Sequence, residues 1–498
     1  MTITEHPDHL TRPGSAPTGH PGGHPGGHPG HSPLVREIKH DLNNKPFIVI
    51  WEVTRACALV CQHCRAEAQH HAAPGQLTNA QGHELIDQLT SYERPYPMLI
   101  LTGGDCFERP DLVDLIEYAV SKGLHVSISP SVTPLFTRDR VRAVQEAGVS
   151  MMSMSLDGGS ATTHDAFRGF PGTFDHTVEA CHMLRELGMK FQLNTVFTAK
   201  NIHEAPQMLK NAIDLGAMMF YTFMLVPTGR GAQLDMLSPL EREDVLYWLH
   251  DNSTRIAIKT TEAPQYRRIA FQRDAVRQGK ERPVRHGELY EWLTRETNEL
   301  LGETITEPRP PRTPLAINSG SGFAFIDHTG DVYPSGFLPI HCGSIKKTPF
   351  PEIYCGSPVF QGLRNPNGFS GKCGACNFNH FCGGSRSTAY ALTGDYLASD
   401  PSCAYVPPGY DGELPEGVPA EGIPQILNLD AVTDSSRRLP YSGHGRPVHI
   451  DQGQRRSWLN ESRFASTLAA FRSRCRHSEF LAVKFARTIA RTAKNRRS

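Results

Sequence analysis

The 498-residue chain has no run of about eighteen apolar residues, so no segment is expected to span a bilayer. It lacks a basic start followed by an apolar stretch, so no secretory signal is expected, and a cytoplasmic location follows. It has no net charge, with 51 Lys+Arg against 51 Asp+Glu. At face value that excludes a chain-wide attraction to nucleic acid or anionic membrane. It is neither a disordered polyelectrolyte nor a disulfide miniprotein. Hydrophobic residues at 39% and charged residues at 20% are ordinary for a soluble globular protein with a sizeable core. The length suggests roughly three domains at ~150 residues each. Twelve cysteines in a reducing compartment point to metal or redox chemistry rather than disulfides.

The zero charge is a cancellation. Residues 436–498 carry 15 Lys+Arg and 3 Asp+Glu, which leaves 36 basic and 48 acidic groups in the rest. The body of the chain is therefore acidic and the tail (437–498) basic. The tail has a partly amphipathic stripe of Phe464, Leu468, Phe471, Phe480, Val483 and Ile489. It is expected to be a solvated appendage, or else to make weak contact with an anionic surface such as lipid or nucleic acid. At the other end, residues 1–45 form a His/Gly/Pro-rich leader with spaced imidazoles at His20, His24, His28 and His31. Its composition predicts disorder, with weak divalent-metal capture as the sharper reading.

Between 46 and 235 strand-like and helix-like patterns alternate. Apolar runs stand at Phe47–Val53, Met98–Thr102, Val126–Ser129, Met151–Leu156, Phe191–Val196 and Met218–Val226. Helical periods separate them at 82–90, 111–122, 138–147, 174–187 and 201–215. Six such units predict an α/β fold, a partial (βα)6 barrel with functional groups at the C-terminal strand ends. Residues 236–312 read as a helical bridge, with helices at 241–252 and 287–301 around a polar stretch. Residues 313–406 form a small Cys-rich segment of short strands and Gly-rich turns. Residues 407–436 read as a Pro/Gly linker.

The sharpest feature is Cys57-Ala-Leu-Val-Cys61-Gln-His-Cys64, directly after the first strand. Three thiolates suit one face of a loop around an iron–sulfur cube. Ordinary [4Fe–4S] sites use four, so three leave one iron open, as a catalytic metal requires. A zinc site is the alternative. Cys-x3-Cys-x2-Cys at this place resembles the radical S-adenosylmethionine (SAM) superfamily. The resemblance implies that SAM chelates the open iron and that one electron cleaves it to a 5′-deoxyadenosyl radical. It also implies an electron donor such as ferredoxin or flavodoxin.

Further motifs match that family in order. Leu101-Thr-Gly103-Gly104-Asp105 stands where the family has Gly-Gly-Glu-Pro; the resemblance implies that Asp105 accepts the SAM ammonium, with Cys106 in place of Pro. Ser153-Met-Ser155-Leu-Asp157-Gly158, His164-Asp165-x-x-Arg168-Gly169, Gly172-Thr-Phe174-Asp175, Asn194-Thr195 and Val226-Pro-Thr-Gly229-Arg-Gly231 follow. By that carry-over Gly103, Gly104, Asp105, Ser155, Asp157 and Asn194 line the SAM pocket. Arg168 orients a carboxylate of SAM or substrate. His63 either packs over the cluster or serves in proton transfer or tuning.

A second cluster, Cys373-x2-Cys376-x5-Cys382-Gly-Gly-Ser385 with Cys403, offers four thiolates. Ligand count alone leaves [4Fe–4S] and zinc equally open. This segment resembles a SPASM or twitch extension, which implies an auxiliary [4Fe–4S] cluster on Cys373, Cys376, Cys382 and Cys403. Full SPASM domains use seven cysteines for two clusters. Here Tyr333-Pro334-Ser335 and Ser385 stand where that family has two thiols of the inner cluster. Serine is a poor iron ligand, so one auxiliary cluster is expected. Cys342 and Cys355 fit an inner cluster poorly, and Cys106, Cys181 and Cys475 read as non-ligands.

The architecture is shared by enzymes of heme and heme d1 synthesis and by maturases of ribosomal peptides. Gln62-His63-Cys64 and the single auxiliary cluster favour a tetrapyrrole substrate, with side-chain modification as the reaction. The alternatives are a peptide maturase forming thioether or C–C links, and a non-catalytic iron or zinc carrier. Nucleic-acid modification rests only on the basic tail.

Overall fold

The computed structural model describes residues 35–36, 38–279 and 286–420. Most of the leader, the linker beyond residue 420, and the basic tail with Cys475 lie outside the described residues.

The chain runs β1 (Ile48–Glu52), α1 (Asn79–Thr90), β2 (Met98–Thr102), α2 (Leu112–Ser121), β3 (Val126–Ile128), α3 (Arg138–Glu146) and β4 (Met152–Ser155). It continues through α4 (Ala161–Arg168), α5 (Thr173–Glu186), β5 (Phe191–Phe197), α6 (Ala205–Asp214) and β6 (Met219–Met224). All six strands expected from the apolar runs are present, within two residues of the expected ends. They are short and none of their residues is exposed: β1, β3 and β4 are buried nearly throughout, while β2 and β6 alternate buried and half-buried residues, so all read as apolar runs. Helices cover them because each carries an apolar stripe; α2 buries Leu112, Leu115, Ile116 and Ala119 against the sheet.

The bridge differs from expectation. Helices α7 (Pro239–Asp251) and α9 (Glu288–Leu301) form as read, but the polar stretch between them is no connector. It holds β7 (Ala257–Thr261), parallel to β6, and helix α8 (Gln265–Arg277). Helix α8 was hidden because it buries arginines: Arg268 forms a buried pair with Glu243 at 2.5 Å, and Arg267 donates to Phe381 O at 2.6 Å. Hydropathy counts such residues as surface, whereas their partners lie far away in sequence.

The Cys-rich segment adds β8 (Phe323–Ile326), β9 (Asp331–Tyr333) and β10 (Gly343–Ser344), then four short helices, α10 (Phe350–Gly356) to α13 (Arg386–Thr393). These strands make no separate sheet. β8 pairs parallel with β1, Ile48 opposite Phe323, and β9 and β10 follow antiparallel. The result is one sheet in the order β10-β9-β8-β1-β2-β3-β4-β5-β6-β7, an open partial barrel. One hydrophobic core runs through it, from Trp51 on β1 to Trp248 on α7 and Tyr354 on α10. No helix among the described residues is long and apolar enough to cross a membrane.

Candidate active site and auxiliary cluster site

The three cysteines of the first motif leave the C-terminal end of β1 together. Cys57 and Cys61 are buried and Cys64 partly so, and they pack with Leu59 and Ala68 in one small cluster. The Leu59 amide donates to Cys57 Sγ at 3.4 Å, and the Ala68 amide to Cys64 Sγ at 3.5 Å. Burial pushes the Cys57 thiol up to about 11 and raises Cys61. Three adjacent thiolates at this depth therefore require positive charge nearby, as a bound cluster supplies.

Two arginines add to that charge. Arg230 donates from Nε to Cys61 O at 2.8 Å and from its NH1 to Ala68 O at 3.1 Å, while its buried NH2 has no protein partner. Arg168, at the end of α4, lies in the field of all three thiols, and that field together with Asp157 holds its guanidinium charged against its own burial. The cysteine loop is fastened by Gly229, at φ +59°. A Cβ there would stand 2.6 Å from Cys64 O.

Asp157 is the hub of the strand ends. One carboxylate oxygen accepts the Val196 amide at 2.9 Å, and the other faces Arg168 NH1 at 3.3 Å. His63 Nε2 is 3.9 Å from that second oxygen, and its ring stacks on Phe167 with centroids 4.7 Å apart. Burial, opposed by Asp157 and assisted by Arg168 and Arg230, lowers His63 to about 4. His63 is thus a neutral imidazole packed over the cysteine loop. His164 Nδ1 accepts the Asp157 amide at 3.1 Å, and burial likewise lowers it to about 4.

The remaining expected SAM-pocket residues divide into two groups. Ser155 ends β4, and its register partner Asn194 lies in the middle of β5 rather than at its end; both are partly exposed. Gly103 and Gly104 instead pack on the backbone before the cysteines: Gly104 N donates to Thr54 O at 2.9 Å and Asp105 N to Ala56 O at 2.7 Å. The Asp105 carboxylate is fully buried and turned into the protein. It accepts Thr133 Oγ1 at 2.7 Å, Phe107 N at 3.1 Å and Ser131 N at 3.2 Å. Two of these donors, Ser131 and Thr133, belong to the loop after β3, which this short acid reaches. Asp165 is structural, accepting Phe174 N at 2.8 Å at the start of α5.

Cys373, Cys376, Cys382 and Cys403 line one pocket, with Arg268, Gly384 and Tyr405. Each of the first three sulfurs accepts a main-chain amide: Asp400 N to Cys373 at 3.4 Å, Phe378 N to Cys376 at 3.4 Å, Gly384 N to Cys382 at 3.5 Å. Arg386 adds a charged donor to Cys373 at 3.3 Å. Burial pushes Cys376 up to about 12 and Cys403 up to about 11, with Lys372 and Arg268 opposing at Cys403. Four converging cysteines, two buried and two half-buried, with amide and cationic donors fit an iron–sulfur cluster. Cys342 and Cys355 point elsewhere, to Ile340 O and Asn44 O. Cys106 and Cys181 are core residues. Among the described residues, no three His, Cys, Asp or Glu side chains converge as ligands of a single ion.

The radical SAM superfamily profile matches residues 51–212. The AdoMet-dependent heme synthase of Nitratidesulfovibrio vulgaris is 38% identical over 364 residues, covering 72% of this chain and 92% of that protein. This chain belongs to the radical SAM superfamily. The mycofactocin maturase MftC of Mycobacterium ulcerans is 28% identical over 385 residues, covering 74% of this radical SAM protein and 90% of the maturase. In fold, the protein resembles SuiB of Streptococcus suis bound to its precursor peptide SuiA, with TM-score 0.53 and 14% identity over 73% of this chain and 76% of that one.

Proposed function

We propose that this radical SAM enzyme modifies side chains of a heme-type tetrapyrrole. The observation that carries the reading is the near-full-length likeness to an AdoMet-dependent heme synthase, at higher identity than to a peptide maturase. Cys57, Cys61 and Cys64 hold the first [4Fe–4S] cluster, and Cys373, Cys376, Cys382 and Cys403 the auxiliary one. When bound, the first cluster with SAM supplies one-electron cleavage to a 5′-deoxyadenosyl radical, and the second supplies an electron acceptor.

The chain's own residues prepare the site. Ser155 at the end of β4 and its register partner Asn194 within β5 present adjacent polar groups to SAM. Arg230 offers its unpartnered NH2 to a carboxylate there. Asp157 fixes Arg168 so that its charge stays beside the thiolates rather than swinging to solvent. Asp105 locks the Gly103–Gly104 turn against the loop after β3. His63, neutral and stacked, closes one side without adding charge. Phe170 and Val60 stand exposed beside the cysteine loop and give the mouth an apolar rim that suits a porphyrin face.

The test is anaerobic reconstitution, followed by SAM, dithionite and an iron porphyrin bearing propionate side chains. Expected are 5′-deoxyadenosine and a porphyrin lighter by carbon dioxide and hydrogen. SAM cleavage that leaves every porphyrin unchanged, with crosslinking of a short peptide instead, would overturn the substrate assignment in favour of peptide maturation. No SAM cleavage, with metal carried but not used, would favour the carrier.

A further inference from the structure

Ser335 and Ser385, the two serines standing where a SPASM domain has inner-cluster thiols, are fifty residues apart in sequence. They meet on one side chain. Ser385 Oγ donates to Glu262 Oε2 at 2.5 Å, and Ser335 Oγ donates to Glu262 Oε1 at 3.4 Å. Ser387 Oγ donates to Oε1 as well, at 2.9 Å. Glu262 follows β7 directly and is 9% exposed. Among the described residues no cation touches its carboxylate: the nearby Arg242 donates to the Glu262 main-chain oxygen at 2.8 Å instead.

Two further features mark the position. Glu262 has φ +56°, a left-handed conformation that a glutamate holds only where surrounding contacts fix it. It is also linked to the auxiliary pocket: Ser385 N donates to Asp400 Oδ2 at 2.7 Å, and Asp400 N donates to Cys373 Sγ at 3.4 Å. On the other side, Gly336, next to Ser335, packs so closely on Arg65 that a Cβ would lie 2.9 Å from its Nε. Arg65 adjoins Cys64. The hydroxyl–carboxylate group thus lies between the two cysteine sites.

We infer that Glu262 is a positioning residue standing in place of a second auxiliary cluster. Its carboxylate, gripped by Ser335, Ser385 and Ser387, joins the end of β7 to the 333–335 and 382–385 turns and holds the four-cysteine pocket in register with the barrel. A cluster cross-links chain segments through covalent iron–sulfur bonds; here three hydroxyl donors and one carboxylate do the same work. The inference rests on the two-cluster reading above for its effect on the auxiliary cluster, but not for the tie itself. The charged groups facing Glu262 are Asp400, which disfavours its ionisation, and Arg242, which favours it; burial is the larger influence and raises it.

The experiment uses cluster-loaded protein and two variants. In Glu262→Ala, amide exchange is expected to quicken at 333–337 and 383–388 together, with the 57–64 loop unchanged. Unchanged exchange at either turn overturns the tie. In Glu262→Gln, which keeps the side-chain volume and stays measurable should the alanine variant not fold, the auxiliary cluster's midpoint potential is followed against pH. In the wild type the potential is expected to rise as pH falls and the carboxylate takes a proton; in the glutamine variant that dependence is lost. Identical profiles overturn the positioning role. Wild-type iron near four per chain instead of roughly eight, the count for two cubes, would fail the two-cluster reading, and the exchange comparison alone would then decide the tie.

Discussion

Asp157 and Arg168 form a buried pair, 3.3 Å from Oδ2 to the guanidinium, with the carboxylate 1% and the arginine 8% exposed. Removing one partner of such a pair costs about 3–5 kcal/mol, because the other charge stays buried. Asp157→Ala is therefore expected to lower unfolding free energy by about that much, read in urea melts of the cluster-free protein. Asp157→Asn keeps the Val196 amide contact and should lose less. An Asp157→Ala variant as stable as the wild type would show that the pair contributes nothing.

Cys57→Ala, Cys61→Ala and Cys64→Ala should each abolish 5′-deoxyadenosine formation and remove roughly four irons per chain, the content of one cube. The fold is expected to survive, since the core lies below the strand ends. Retained SAM cleavage in any of the three would sink the assignment.

Cys376→Ala and Cys403→Ala should show the opposite division. Iron falls by roughly four per chain, and substrate turnover stops. SAM cleavage at the first site continues when dithionite supplies electrons. Equal loss of both activities would mean that the pocket shapes the barrel rather than serving turnover.

Gly229→Ala should damage the first site selectively. An L-residue at φ +59° costs about 1–2 kcal/mol by itself, and the added methyl meets Cys64 O at 2.6 Å. The expected result is weakened cluster retention at the first site with the auxiliary cluster's spectrum unchanged.

His164 predicts an acid limb of stability. Its folded pKa of about 4 lies below the ordinary value near 6.5, so the unfolded chain binds the extra proton. Stability is full above about 6.5 and falls as pH drops toward about 4. His63 and His286, both lowered mainly by burial to about 4, share this window. His164→Asn keeps an acceptor for the Asp157 amide and should make the limb shallower by one proton, read as the slope of unfolding free energy against pH.

The sequence exposes most of the barrel because its strands are apolar runs separated by amphipathic helices. Met98–Thr102 and Phe191–Val196 could hardly be read otherwise. It hides β7, a five-residue strand that buries only Ala257 and Ile258, and α8, which buries Arg267 and Arg268 against partners on other elements. The spacing of the cysteines announces two thiol groups, and the structure brings each group together. Glu262 has no such signal: two missing thiols show that something replaced them, but not which acid, forty or more residues before the segment's own motif, takes their place. Asp105 marks the opposite limit. The motif marks its place in the chain, but its contacts with Ser131 and Thr133 depend on a loop that no motif predicts.

The parallel pairing of β8 with β1 also has a temporal side. Strand β1 leaves the ribosome early, with the cysteine loop attached, but its outer edge stays bare until Phe323–Ile326 arrives. Until then it is an open template for other chains. A fragment ending before residue 323 is therefore expected to aggregate rather than yield a working half-enzyme.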